Sequence, residues 1–130
     1  MTDVRPKTPE QRVLVVEDNE AVRAAVQEVP SAAGYHADVT SGLAAAVAAA
    51  REHRYDLVLS DLVLGREDGQ DVVEAVLALQ PRAKVLFMSG YGTPRYGSTP
   101  NDPVLAKPFT AGELLDRVRR ILGEEPAPDE

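Results

Sequence analysis

The 130-residue chain predicts a single α/β domain built on a five-stranded parallel sheet, and three observations carry that prediction. Short apolar runs recur at residues 12–16, 37–40, 57–59, 84–88 and 104–106. Segments of helical periodicity separate them, which is the signature of βα units whose strands are buried on both faces. Hydrophobic residues make up 44% of the sequence, enough for one core at this length.

Each element has its own warrant. Arg12-Val-Leu-Val-Val16 is the first strand, and behind it Val22, Val26 and Val29 recur at helical spacing, with Gly34 as a C-terminal stop. Pro30 removes a backbone donor and clashes with the preceding turn, so this helix is expected to end early or kink near Val29. After the second strand an Ala-rich helix spans about residues 43 to 53, with Ser41 as its expected N-cap. A third helix, about 70 to 79, aligns Val72, Val73, Val76 and Leu77 on one stripe before Pro81 stops it. The last opens on Thr110-Ala-Gly-Glu113, a capping-box pattern, and turns Leu114, Leu115, Val118, Ile121 and Leu122 inward. Between the fourth and fifth strands GYGTPRYGSTPNDP holds three prolines, three glycines and almost no aliphatic residue. A loop is expected there, where a five-unit α/β protein would place its fourth helix, so that helix is short or absent.

Composition narrows the function. A net charge of -7, from 21 acidic and 14 basic residues, leaves no basic stripe for nucleic acid. No run of about 18 apolar residues and no apolar N-terminal stretch is present, so a cytoplasmic protein without membrane contact is expected. The absence of cysteine excludes disulfides, a thiolate nucleophile and zinc–thiolate sites. His36 and His53 have no spaced partner and read as surface or boundary residues. Residues 1–11 are expected to form a flexible N-terminal tail, 12–122 the domain and 123–130 an acidic C-terminal tail, with no output domain attached.

Glu17 and Asp18 follow directly after the first strand and Asp61 directly after the third. In an open parallel sheet such positions gather at the carboxyl edge, where ligands bind. Unpaired, the carboxylates would raise one another's pKa values, so they call for a divalent cation. Few, hard oxygen ligands suit Mg²⁺ better than zinc or a calcium cage. Ser89 closes the fourth strand with a hydroxyl and Lys107 the fifth with a positive charge. A carboxylate nucleophile, a metal, a lysine and a hydroxyl together suit phosphoryl transfer. Taken singly, Asp18 and Asp61 also read as helix N-caps, Ser89 as a turn residue and Lys107 as a solvated lysine. Their convergence from four strand ends onto one edge favours the site.

The blocks Val13-Leu-Val-Val-Glu-Asp-Asn19, Asp56-Leu-Val-Leu-Ser-Asp-Leu62, Phe87-Met-Ser-Gly-Tyr91 and Lys107-Pro-Phe109 resemble, in order and spacing, those of response-regulator receiver domains. The similarity extends most to receivers of hybrid kinases and to single-domain regulators with a Phe-Ala-Thr-Gly-Tyr motif. The resemblance implies a flavodoxin-like, doubly wound sheet of order 2-1-3-4-5. It implies Asp61 as phospho-acceptor, Mg²⁺ held by Glu17, Asp18, Asp61 and the Val63 carbonyl, Ser89 reading the phosphoryl group and Lys107 pairing with it. The implied partners are a sensor histidine kinase or a histidine phosphotransfer protein, with output to a downstream protein. Two departures stand out. Val104 occupies the place of an aromatic switch residue, leaving Tyr91 as the candidate switch beside Ser89, and Gly65-Arg66 stands where the loop usually shows Pro-Gly. Two other readings compete: a Mg²⁺-dependent phosphohydrolase of haloacid-dehalogenase type, and a receiver-like adaptor that works without phosphorylation. The first lacks the Asp-x-Asp spacing after the first strand and a cap insertion; the second draws on Val104 and the missing helix.

Overall fold

The structure, a computed structural model, describes residues 11–90 and 104–123. The main strands are β1 (Arg12–Val16), β2 (His36–Thr40), β3 (Leu57–Asp61), β6 (Lys84–Ser89) and β7 (Val104–Ala106), and a two-residue pair, β4 (Val63–Leu64) and β5 (Glu67–Asp68), follows β3. The helices are α1 (Glu20–Ala32), α2 (Leu43–Glu52), α3 (Gly69–Leu79) and α4 (Ala111–Ile121). The main strands are parallel in the order β2-β1-β3-β6-β7, which is the expected 2-1-3-4-5. The helix expected to be short or absent falls at residues 91–103, outside the described residues, as do the outer parts of both tails. Gln11, assigned to the N-terminal tail, already joins the sheet through its carbonyl, which accepts from the His36 amide at 2.9 Å. No helix among the described residues is long and apolar enough to cross a membrane.

Because side chains alternate along a strand, each strand feeds two cores. Val13, Val15, Leu57, Leu59, Leu86 and Met88 pack on one face with Val26 of α1 and Leu114 and Val118 of α4. Leu14, Val16 and Val58 pack on the other with Ala46 and Ala50 of α2 and Val72, Val73 and Val76 of α3. The two faces explain why the strands read as continuous apolar runs rather than alternating ones.

Two expectations at helix ends need correction. Of the early end or kink expected near Val29, the early end does not occur: the first helix runs through Pro30 to Ala32. Proline forfeits one helical bond, yet Pro30 is buried in the last turn and its carbonyl accepts from Ala33 and Tyr35, at 3.1 and 3.0 Å. Gly34, at φ 101, then makes the stop. Ser41 is not the cap of α2; the N-cap is Gly42, which has no side chain to offer, and the Leu43 amide instead donates to Glu67 Oε1 at 2.8 Å. The capping box of α4 forms as expected: Thr110 Oγ1 accepts from the Glu113 amide and Glu113 Oε1 from the Thr110 amide, at 3.0 and 2.9 Å.

Candidate functional site

The register of the sheet gathers the candidate residues. Val16 lies opposite Ser60, Asp61 opposite Met88, and Ser89 opposite Ala106, so Glu17, Asp61, Ser89 and Lys107 end neighbouring strands on one edge. Asp61 and Ser89 are the last residues of β3 and β6 rather than the first after them. Backbone bonds carry the ladder one step further, with the Glu17 amide donating to Thr40 O at 3.0 Å and the Lys107 amide to Ser89 O at 2.7 Å.

At that edge the Lys107 ammonium lies 2.8 Å from Asp61 Oδ2 and 3.6 Å from Glu17 Oε1. Asp61 and Glu17 are both buried, at 8% and 2% exposure, whereas Asp18 is open to solvent. Carboxylate oxygens of Glu17, Asp18 and Asp61 lie within 4.8 Å of one another. Asp61 Oδ1 accepts from the Val63 amide at 3.3 Å, and Glu17 Oε2 from the Asn19 amide at 3.1 Å. The Ser89 hydroxyl is buried and donates to Gly90 O at 3.0 Å. Tyr91 lies outside the described residues.

Burial pushes the Glu17 carboxyl up from its ordinary range, and the charge of Asp61 adds to this, against the Asn19 amide and Lys107, which favour ionisation. Burial alone would lower the Lys107 pKa, but the hydrogen bond and charge of Asp61, and then Glu17, outweigh it and the net direction is up. Three carboxylates thus face one ammonium, and Glu17 Oε1 is buried without a hydrogen-bond partner. A small divalent cation fits this donor set, since it would balance the excess charge and occupy the orphaned oxygen.

Several supporting residues are not evident from sequence. Arg23 Nη1 donates to Glu17 O at 3.0 Å and so steadies the backbone between the two acidic residues. Gly69 lies against the acceptor strand: a Cβ there would run into the Asp61 carbonyl, and its amide donates to Leu62 O at 2.8 Å. Gly65, at φ 60, turns the chain beside Asp18 Oδ2. A glycine at each position is visible in the sequence, but the close approach that requires it is not.

The family model for the response regulator receiver domain matches residues 13–119. The chain belongs to this family. It is therefore a receiver domain of two-component signalling, a signalling module rather than a classical enzyme, which displaces the phosphohydrolase reading. It is 26% identical over 115 residues to the response regulator receiver protein CpdR of Brucella abortus, covering 85% of this chain and 96% of that protein. It is 31% identical over 127 residues to the response regulator protein FleR of Pseudomonas aeruginosa, covering 92% of this chain but only 26% of FleR. Among solved structures, the receiver domain of the hybrid histidine kinase CckA superposes with a TM-score of 0.72 at 27% identity, covering 85% of this chain and 98% of that one. The receiver thus spans nearly all of some relatives and about a quarter of others.

Proposed function

We propose that this receiver accepts a phosphoryl group on Asp61 from a phosphohistidine of a sensor histidine kinase or histidine phosphotransfer protein, and passes the signal on by protein contact. The observation that carries the reading is the buried Asp61 carboxylate held at 2.8 Å by the Lys107 ammonium, with Glu17 beside it at the sheet edge. An Asp61 oxygen attacks phosphorus and forms the P–O bond of an acyl phosphate while the P–N bond to the donor imidazole breaks. With its second nitrogen protonated, the imidazole leaves as the neutral base with the bonding pair. An ionised carboxylate needs no general base for this attack. Lys107 is placed to donate to a phosphoryl oxygen as well as to Asp61, and the Ser89 hydroxyl, on the adjacent strand end, to a second. Movement of Ser89 toward that oxygen, followed by Tyr91, is the proposed switch. Glu17, Asp18 and Asp61, with the Val63 carbonyl, are the groups that would hold Mg²⁺, which when bound neutralises the charge on the transferring phosphoryl oxygens. The excess of 21 acidic over 14 basic residues supports a protein rather than a nucleic acid as the downstream partner.

Incubation with a small-molecule acyl phosphate and Mg²⁺, followed by intact-mass measurement, tests this. One phosphoryl addition is expected on the wild-type chain and none on Asp61→Asn or after chelation with EDTA. A modification that persists in Asp61→Asn overturns the assignment.

A further inference from the structure

The turn after Asp61 departs from the family pattern, with Gly65-Arg66 in place of Pro-Gly. Residues 63–68 form the β4–β5 hairpin, pairing Val63 with Asp68 and Leu64 with Glu67, and its turn takes Gly65 to φ 60, a value closed to proline. Two strands of two residues have little stability alone, so the hairpin depends on anchors. Leu64 is one, buried in the core with Ala46 and Val72. Glu67 is the other. Although exposed, it reaches the first turn of α2, where its Oε1 accepts the Leu43 amide at 2.8 Å. It fills the cap that α2 lacks and sets a carboxylate at the positive end of the helix.

Gly42 makes room for this contact. A Cβ there would lie 2.6 Å from Glu67 Oε1, so any side chain displaces the carboxylate. The backbone does not require glycine, because φ -178 and ψ -164 are extended values. In the turn that Leu64 and Glu67 close, a Cβ on Gly65 would come within 3.2 Å of Asp18 Oδ2. The hairpin therefore bridges the acidic cluster and the N-terminus of α2.

We propose that Glu67 is a positioning residue: by capping α2 across the Gly42 gap, it holds the hairpin, and with it the Val63 carbonyl and the turn beside Asp18, in the geometry that binds Mg²⁺. The inference rests on the metal site described above and makes α2 sensitive to its occupancy.

The test titrates Mg²⁺ alone into the full chain by calorimetry and follows exchange of the Leu43 amide by NMR. Glu67→Ala and Gly42→Ala are each expected to weaken Mg²⁺ binding by about fivefold, the equivalent of one helix cap, and to expose the Leu43 amide. Glu67→Gln keeps the acceptor and should stay within about twofold of wild type. The double variant Gly42→Ala/Glu67→Ala should bind no more weakly than Glu67→Ala, because the carboxylate that the added methyl group would displace is gone. A long-range charge effect gives the opposite pattern, with Glu67→Gln as weak as Glu67→Ala and Gly42→Ala silent, and that result overturns the proposal. So does loss of Leu43 protection with unchanged Mg²⁺ affinity. If Glu67→Ala fails to fold, Gly42→Ala and Glu67→Gln decide. Failure of the wild-type chain to bind Mg²⁺ overturns the metal site itself, and the Leu43 amide then still reports whether the cap exists.

Discussion

Lys107 bridges two buried carboxylates, Asp61 and Glu17, and favours the ionised form of Glu17, which burial presses toward its neutral form. Toward the amino ends of the strands another carboxylate is held differently. Burial pushes the Asp38 carboxyl up, but the Tyr55 hydroxyl at 2.6 Å and the Arg12 guanidinium at 3.0 Å favour the ionised form more strongly, and its pKa is lowered. The same contact, with burial, raises the pKa of Tyr55 and keeps it the donor. A lowered folded-state pKa makes the stabilisation fully present above the ordinary carboxyl value of 3.8 and removes it as pH falls through the folded value. Urea unfolding of wild type and Asp38→Asn should therefore differ by about 1 kcal/mol at neutral pH, and the difference should shrink as pH falls from 3.8 through the lowered folded value. A difference independent of pH contradicts this. Phosphorylation should be equal in the two, because the side-chain bonds of Asp38 among the described residues go to Arg12 and Tyr55, not to Glu17, Asp18, Asp61, Ser89 or Lys107.

At the scale of elements, sequence rules succeeded where partners are near in the chain. The Thr110 and Glu113 box is legible because its two halves lie three residues apart. The cap of α2 is not, because Glu67 lies 24 residues from Leu43, and the local candidate, Ser41, has nothing to mark it as unused. Pro30 misled for the converse reason: the local rule is sound, but burial and the two bonds to its carbonyl retain the last turn. Gly69 also acts at this scale, since α3 can begin against β3 only where no Cβ meets the Asp61 carbonyl. Gly69→Ala should shift the start of α3, lower stability by about 2 kcal/mol and slow phosphorylation of Asp61. Thermal unfolding and a phosphorylation time course check both parts; an alanine variant as stable and as fast as wild type contradicts the packing argument.

Across the whole molecule, the parallel sheet was legible because strands buried on both faces, such as Leu57-Val-Leu, leave an unbroken apolar run. Their order was not legible from periodicity and came from the resemblance of the blocks around Asp61 and Lys107. The carboxyl-edge position of Glu17, Asp61, Ser89 and Lys107 followed from chain order alone, since each ends a run. Their distances, the orphaned Glu17 oxygen and the hairpin beside Asp18 come only from packing. The central claim is that this edge directs a phosphoryl group to a single carboxylate. Borohydride reduction of the phosphorylated chain, followed by peptide mass mapping, converts an aspartyl phosphate into homoserine where it was formed. Homoserine is expected at position 61 alone, and its appearance at position 18, or a phosphate left on a histidine or serine with position 61 unaltered, would contradict it.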